Sequence, residues 1–314
     1  MASLGKRRGD FEVVVVNNDS GEDLGWVEGA AVLDAGGNVG FSRGNTLGAV
    51  RASGEILVFL NPDTTVDQDW LVALEKVFSD PEVGAVQSFL LQLDDPTRID
   101  CAGGVADLWG WARKGEYNRK LAEVRLEDTK PIFYAMGAAV AVRRSVFEQI
   151  GGFDEGMALY HEDVDLGWRV WLAGFKVVLA AGSWVYHKGG GSRVDGDEFP
   201  VIYSRERNKI VTVFKNYSRL NLIWILPLLY FLQLVSFMYF VVVDRNISKG
   251  WAHLKAVLWS FLNLRYFATK RREVQRTRRV PDRVIMKLLQ KWPMVIGLAF
   301  ARRGKPPHSL TLRV

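Results

Sequence analysis

Apolar and polar residues alternate in blocks along the first two hundred residues, and these blocks predict strands and helices in turn. Short, nearly continuous apolar runs are typical of strands buried on both faces of a parallel sheet. The predicted strands are Phe11–Val16, Ala31–Leu33, Glu55–Leu60, Val83–Leu91, Phe133–Val142, Lys176–Ala180 and Trp184–Tyr186. Helical spacing predicts helices at Arg43–Ala52, Asp67–Phe78 (with Asp67 as N-cap), Ser145–Ile150 and Leu166–Ala173. The alternation predicts an α/β fold, with a mostly parallel, Rossmann-like sheet and helices on both of its faces.

Polar residues gather where the predicted strands end. Asn17 follows the first strand, and Asn61 and Asp63 follow the strand that ends at Leu60. Ligands of open α/β sheets bind at the carboxyl ends of the strands, so we expect the functional site at this edge. The stretch Asp94–Lys130 has little regular pattern. It predicts a loop-rich insertion on the side of the site where an acceptor substrate would bind.

A long apolar run, Leu222–Val243, contains twenty-two residues and no charge. Roughly 20 apolar residues span the core of a bilayer, so the run predicts a membrane-associated helix. A buried core helix is the alternative, and the sequence leaves open whether a membrane helix spans the bilayer or lies flat on it. We therefore expect an α/β catalytic domain at residues 1–215 and a helical, membrane-associated tail at residues 216–314.

The net charge of +6 comes from the tail, because residues 265–305 contain thirteen Lys and Arg and only two acidic residues. Basic residues beside apolar runs favour anionic lipid. No base-reading or RNA-binding motif accompanies these charges, so we expect no nucleic-acid partner. The single cysteine, Cys101, excludes an intramolecular disulfide framework and a Cys-rich zinc site.

Three carboxylates fall within four residues, at Glu162, Asp163 and Asp165. They repel one another, and the start of a helix needs only one acidic cap. Such clusters often remove a proton, hold a metal or bind sugar hydroxyls. We expect Glu162 or Asp163 to act as a general base, and the remaining carboxylates to fix loops or bind substrate. A solvated acidic helix start is the alternative, but Trp168 and Trp171 indicate a partly buried neighbourhood.

Two further segments carry candidate metal ligands. Asp63, in the turn Asn61-Pro62-Asp63, can bind a divalent cation that bridges two phosphates, although an ordinary strand-to-helix turn has the same sequence. His187 follows a predicted strand and precedes Gly189, Gly190 and Gly191. Imidazole is a common metal ligand, and a structural hydrogen-bonding histidine is the alternative.

Five short segments occur in a characteristic order. They are Asn38–Asn45, Leu60–Thr64, Gly151–Glu155, His161–Arg169 and Tyr186–Ser192. In this order they resemble glycosyltransferase family 2, the inverting enzymes of GT-A fold, and most closely its rhamnosyltransferase-like branch. The resemblance covers about residues 11–217.

The resemblance implies roles for individual residues. Asp163 is implied to be the catalytic base, with Glu162 beside it. Asp63 is implied to bind Mg²⁺ or Mn²⁺, with His187 near the metal and the diphosphate. Donor contacts are implied for Asn17, Asp19, Asn38, Gly40, Arg43, Asn45, Asn61 and Asp63. Asp165, Trp168 and Arg169 are implied to contact the acceptor or to fix loops.

The implied reaction transfers a sugar, with rhamnose as the family-level expectation, from a nucleoside-diphosphate sugar donor. The acceptor is expected to be a lipid-linked molecule or a cell-surface polysaccharide. We expect the tail to hold the protein by membrane lipid at the cytoplasmic face of the cell membrane, where the donor is made.

Two departures from the family pattern matter. No counterpart of the family's first strand and helix is found ahead of Phe11, and Asn17 stands where the family usually carries an Asp that contacts the nucleotide base. They predict donor binding that is weak, altered or absent. The alternative hypothesis is a non-catalytic or truncated relative that serves as a binding or scaffold subunit.

Overall fold

The computed structural model describes residues 10–19, 24, 29–189 and 198–294. Its strands are β1 (Val14–Asn17), β2 (Ala31–Asp34), β3 (Ile56–Leu60), β4 (Thr64–Val66), β5 (Val83–Gln92), β6 (Ile99–Cys101), β7 (Gly104–Ala106), β8 (Ala112–Lys114), β9 (Thr129–Pro131), β10 (Ala139–Arg143) and β11 (Lys176–His187). Its α-helices are α1 (Gly40–Arg51), α2 (Trp70–Phe78), α3 (Arg144–Gln149), α4 (Glu162–Leu172), α5 (Phe199–Asn216), α6 (Arg219–Met238), α7 (Ile247–Leu262), α8 (Leu264–Thr277) and α9 (Asp282–Met286). Gly190, Gly191 and the part of the predicted basic tail beyond residue 294 lie outside the described residues.

Seven strands form the main sheet, in the order β3-β10-β5-β11-β4, with β6 beside β5 and β9 beside β11. Strand β10 is antiparallel to both β3 and β5, whereas β5 and β11 are parallel. The α/β class is confirmed, but the sheet is mixed rather than mostly parallel. The reason is topological: β10 returns from the long excursion after β5 and enters the sheet in the opposite direction. Apolar runs reveal that a strand is buried but not which way it points.

Strands β1 and β2 form a separate, parallel two-stranded sheet in which Val14 lies opposite Ala31. Within the described ranges, no hydrogen-bonded strand joins this pair to β3 at the edge of the main sheet. Helix α1 packs against β1, and a Cβ atom at Gly48 would lie 3.2 Å from Val16.

Several predicted boundaries need correction. The two strands predicted at Lys176–Ala180 and Trp184–Tyr186 are one strand, β11, with a bulge between them. The strand predicted at Phe133–Val142 begins only at Ala139, because residues 132–138 form a loop over the site. Asp67 does not cap α2, which begins at Trp70 after Asp69.

The helices after residue 216 share a core with the α/β part. Trp168 of α4 packs edge-to-face on Tyr217, with ring centroids 4.8 Å apart, and Leu229 of α6 belongs to the same buried cluster. Arg219–Val243 is the one helix among the described residues that is long and apolar enough to cross a membrane. The division at residue 215 remains a prediction.

Candidate active site

Asp163 lies in the first turn of α4, at the end of a strained approach. The two residues before α4, Tyr160 and His161, have left-handed backbone angles, with φ of 67° and 74°. Such angles are costly for residues with side chains and occur often at functional sites. Asp163 is half-buried, and its Oδ2 accepts a hydrogen bond of 3.1 Å from the amide of Gly137. The bend therefore places a carboxylate against the loop at 132–138.

The protonation of Asp163 is tuned by its surroundings. Burial raises its pKa above the ordinary aspartate value, and the amides of Gly137 and Val164 only partly oppose this effect. Glu162 is buried as well. Burial, together with the charge of Asp163, raises the pKa of Glu162 well above the ordinary glutamate value. Glu162 Oε2 has no hydrogen-bond partner among the described atoms. A carboxylate with a raised pKa is a stronger base once ionised, which suits proton removal from a hydroxyl.

Asp63 and His187 lie together at the second half of the site. Asp63 Oδ2 lies 3.4 Å from His187 Nε2, and the Lys188 amide donates to the Asp63 carbonyl. This contact follows from the pairing of β11 with β4, which puts His187 opposite Thr64. The two residues that the sequence proposed as metal ligands are therefore neighbours.

His187 is held from behind by a carboxylate and a lysine. Its Nδ1 lies 2.9 Å from Asp100 Oδ2, and Lys114 Nζ lies 2.6 Å from the other oxygen of Asp100. Burial opposes ionisation of Asp100, but the hydrogen bonds from His187 and Lys114 outweigh it and lower the pKa of Asp100. An ionised Asp100 favours a proton on Nδ1, which leaves Nε2 as the nitrogen directed toward Asp63.

The residues at this position fit a divalent cation whose coordination is completed by the phosphates of a bound substrate. Asp63 Oδ1 is buried and has no hydrogen-bond partner among the described atoms. In the same ranges, no group of three or more His, Cys, Asp and Glu is placed to hold a metal by itself. Mg²⁺ is commonly bound through one or two carboxylates and the phosphates of a substrate, so two protein ligands suffice.

One loop connects the two halves of the site. Gly137 donates its amide to Asp163, and the next residue, Ala138, accepts a hydrogen bond of 3.0 Å from the amide of Asn61. Met136 is fixed by Gln87 of β5, whose side-chain oxygen accepts from the Met136 amide. The predicted base, Asp163, and the predicted metal-binding turn at Asn61 are thus hydrogen-bonded to the consecutive residues Gly137 and Ala138.

The expected donor residues of the N-terminal part surround the start of α1. Asn17 is buried and accepts from the amide of Asp19. Asn38 accepts from the amide of Gly40, whose φ is +81°. A Cβ atom at Gly40 would lie 2.7 Å from the Ala158 carbonyl oxygen, so this position requires glycine.

Two more expected donor residues lie on α1 itself. Arg43 is exposed, whereas the Asn45 side chain donates to the Phe41 carbonyl within the helix. The described contacts therefore give Asn45 a helical role, and its donor contact stays a prediction.

Asp165, Trp168 and Arg169 are buried and fix the surrounding structure. Arg169 donates to Asp165 and to the carbonyls of Ile150 and Gly152, and so holds the turn before the site. Trp168 is fully buried. Of the two roles expected for these residues, their contacts favour the fixing of loops over contact with an acceptor.

Asp100, Lys114 and Gly137 were missed by the sequence reasoning. Asp100 and Lys114 lie in the stretch expected to be an irregular insertion, and Asp100 is 87 residues from His187 in the chain. No local pattern marks such a pair. Gly137 acts through its backbone amide, which leaves no signature in residue type.

Comparison with known proteins shows which family this site belongs to. The family model described as "Glycosyl transferase family group 2" matches residues 56–269, which is more than half of the chain. The chain belongs to this family. The match includes Asp63, Asp163 and His187, and it extends through α5, α6 and α7 into α8.

Curated relatives of this family-2 chain include two bacterial proteins. O-antigen biosynthesis protein RfbC of Myxococcus xanthus is 34% identical over 198 residues, which are 58% of this chain and 15% of the relative. N-acetylglucosaminyl-diphospho-decaprenol L-rhamnosyltransferase of Mycobacterium tuberculosis is 36% identical over 118 residues, which are 37% of this chain and 36% of the relative. The chain therefore spans well under half of either protein. The similarity agrees with the rhamnosyltransferase-like branch expected from the motifs.

A solved structure confirms the GT-A fold. GalNAc-T7 with UDP, GalNAc and Mn²⁺ superposes with a TM-score of 0.53 at 15% sequence identity. The alignment covers 76% of this chain and 46% of that one. At this identity the likeness concerns the fold.

Proposed function

We propose that this protein transfers a sugar from a nucleoside-diphosphate sugar to a hydroxyl group of a lipid-linked or polysaccharide acceptor, with inversion at the anomeric carbon. The observation that supports this most is the pair of carboxylates attached to consecutive loop residues. Asp163 is a half-buried base with a raised pKa, and Asp63 presents a buried oxygen without a hydrogen-bond partner among the described atoms.

In the proposed reaction, Asp163 accepts the proton of the acceptor hydroxyl as the new glycosidic bond forms and the bond to the diphosphate breaks. The amide of Gly137 keeps the carboxylate in place during this transfer. Because the acceptor oxygen attacks the sugar directly, no covalent intermediate on the protein is needed and the product is inverted. Glu162, beside Asp163 in the chain, is the alternative base.

Asp63 and His187 would hold Mg²⁺ or Mn²⁺ together with the diphosphate. A bound divalent cation offsets negative charge on the leaving group. On the protein side, Asp100 and Lys114 orient His187 so that Nε2 faces the cation position.

The donor and acceptor classes are supported by the relatives. The mycobacterial relative is named for transferring L-rhamnose to a polyprenyl-linked sugar, and the Myxococcus relative for O-antigen biosynthesis. We propose rhamnose as the sugar and a lipid-linked glycan as the acceptor. Membrane lipid would then be a second partner, bound by the C-terminal helices at the cytoplasmic face.

The test has a binding arm and a turnover arm. UDP, dTDP and GDP are each added with and without Mn²⁺ to the wild type, to Asp63→Ala and to the control Asp69→Ala, an exposed aspartate ahead of α2. A ligand at about 100 times its Kd stabilises a fold by about 2.7 kcal/mol, which is visible in a thermal melt. We expect a Mn²⁺-dependent shift that Asp63→Ala loses and Asp69→Ala keeps.

Asp163→Asn is expected to bind nucleotide normally and to lose turnover by about 10²- to 10⁴-fold, the usual contribution of a general base. Retained turnover would assign the base role to Glu162. No nucleotide shift in a protein that melts cooperatively would contradict the proposed donor site and favour a non-catalytic relative.

A further inference from the structure

Helices α6 and α7 form an antiparallel hairpin that packs beside α5. Residues 244–246 connect them after the π-helical turn at Tyr239–Val243. Gln233 Oε1 lies 2.6 Å from His253 Nδ1 across the hairpin, and the hydroxyls of Tyr230 and Ser260 lie 2.9 Å apart. These contacts extend over about one turn of α6 and two turns of α7, so the two helices are packed against each other.

The hairpin turns an apolar face away from the rest of the described structure. On α6, exposed apolar side chains recur every three or four residues, and on α7 they recur at intervals of three, four or seven residues, which places them along one side of each helix. We define the outer face by six of its members, each 56–84% exposed: Ile223, Phe231, Val242, Ile247, Phe261 and Leu262. Only 28% of the most apolar stretch of Arg219–Val243 is buried, which is too little for the core helix of a water-soluble domain. A continuous apolar surface of this kind marks a binding site.

The inner side of the same hairpin is bound to charged groups. Gln233 Nε2 donates a hydrogen bond of 2.8 Å to Glu206 Oε2 of α5, and Lys209 pairs with the same carboxylate. His253 of α7 lies 3.7 Å from Glu206. All four side chains are buried. The apolar helix is therefore tied to an ionic cluster of the catalytic part.

This attachment argues against a helix that crosses the bilayer. If α6 ran through hydrocarbon, its packed neighbours α7 and α5 would be carried in beside it. Helix α5 has Arg205, Glu206, Arg207 and Lys209 within five residues, and charges are strongly disfavoured in the bilayer core. If the hairpin lies in the plane of the membrane, only its outer face enters the lipid and α5 stays in water.

Exposed arginines stand beside the outer face. Arg219 directly precedes the exposed Leu220 at the start of the hairpin, and Arg265 directly follows the exposed Leu264 just beyond its end. Arg245 is exposed in the turn, between Asp244 and Asn246. Such a basic rim complements anionic lipid head groups. A second copy of this chain would instead bring like charges together across a two-fold interface.

We propose that the hairpin α6–α7 docks flat on an anionic membrane, with the outer face in the head-group region and the arginine rim on the lipid phosphates. The inference shares the membrane contact with the proposed function but does not depend on sugar transfer.

The test measures depth along the helix. Cys101 is buried, so single cysteines at Leu220, Phe231, Val242 and the control Val50 can carry spin labels. Val50 is 80% exposed on α1, away from the hairpin. Labelled protein is mixed with vesicles of phosphatidylserine and phosphatidylcholine, and depth is read from collisions with oxygen and a water-soluble nickel chelate.

Flat docking predicts that the three hairpin labels reach the same shallow depth, about 5–10 Å, while the label at 50 stays in water. A spanning helix would instead put the label at 231 deepest and those at 220 and 242 near the two surfaces. Labels that stay in water, or that broaden one another because two copies associate, would also overturn the proposal.

A second set of variants uses vesicle flotation. Phe231→Glu and Arg265→Glu are each expected to weaken partitioning onto anionic vesicles by about tenfold, whereas Val50→Glu should leave it unchanged. Nucleotide binding by the same variants is measured in parallel. Lost flotation with intact nucleotide binding supports docking by this face, and equal flotation of all variants refutes it. Lost nucleotide binding with intact flotation bears on the proposed function alone.

Discussion

Asp100 contacts Nδ1 of His187 and so leaves Nε2 as the nitrogen that faces Asp63 and the proposed metal position, although neither the sequence nor the family resemblance singled Asp100 out. In Asp100→Asn, the amide can donate to Nδ1 and so move the imidazole proton to Nε2, where it blocks a metal. We expect the affinity for Mn²⁺ in the presence of nucleotide to fall by about 10- to 100-fold, the usual effect of losing a partner behind a metal ligand.

The affinity is measured from the EPR signal of free Mn²⁺, with the melting temperature as a check on folding. Asp95→Asn is the matched control, because Asp95 lies in the same insertion but pairs with Arg98 near the surface. An unchanged Mn²⁺ affinity in folded Asp100→Asn would show that Asp100 does not orient the ligand.

At the scale of elements, α5 holds the strained approach to α4. Asn208 Nδ2 donates to the carbonyl of Leu159 (3.0 Å) and to that of Tyr160 (2.7 Å), the first of the two left-handed residues. Asn208→Ala leaves both carbonyls without this donor, which costs about 1–3 kcal/mol of the free energy of unfolding. We expect kcat to fall about tenfold or more while the KM for donor changes little, because the base shifts and the donor residues do not.

Thr212→Val is the control for this change. Thr212 is buried one turn further along α5, and its hydroxyl donates a long, 3.9 Å hydrogen bond to the Met157 sulfur. If Asn208→Ala and Thr212→Val lower kcat equally, the effect belongs to the packing of α5 and not to the support of residues 159–161.

The same elements show what could be predicted from the sequence. Most strands and helices were placed within a few residues because burial leaves an apolar pattern, and Asp63, Asp163 and His187 could be proposed as site residues because their motifs are local. The direction of β10 and the partner Asp100 were out of reach, because both depend on residues far apart in the chain. Asp165 was placed in the right cluster, but only its contacts with Arg169 and Asn216 reveal its supporting role.

At the scale of the whole molecule, buried ion pairs join the α/β part to the C-terminal helices. Asp154, before the site, pairs with Lys215 of α5 and Lys270 of α8. Burial opposes ionisation of Asp154, but the two lysines outweigh it and lower its pKa. The pKa of Glu206 is lowered in the same way, because the charges of Lys209, His253 and Arg205 outweigh the effect of burial. The contacts of Asp154 with Lys270 and of Glu206 with His253 join the α/β part to the tail.

The sign of the pH effect follows from these lowered values. Above the unfolded-state value of about 4, both carboxylates are ionised and contribute stability; as the pH falls through their lowered folded values, this contribution is lost. Glu162 and Asp163, whose pKa values are raised, act in the opposite sense and at higher pH: stability falls as the pH rises from about 4 through their folded pKa values. We expect stability to decline below about pH 4 in one transition for both parts.

Circular dichroism, which follows the helices, and tryptophan fluorescence are recorded against pH. Lys270→Met should move the acid midpoint to higher pH, whereas Lys287→Met, at an exposed position after α9, should not. Two separate transitions would show that the tail unfolds independently of the α/β part.

The flat hairpin also changes the dimension in which substrates meet. An enzyme held in the plane of a membrane encounters a lipid-linked acceptor by lateral diffusion, so the quantity that governs encounter is the number of acceptors per unit of membrane area. Adding plain vesicle lipid at a fixed amount of acceptor would then slow transfer, even though every bulk concentration except that of the lipid stays the same. A water-soluble acceptor fragment would be insensitive to that dilution.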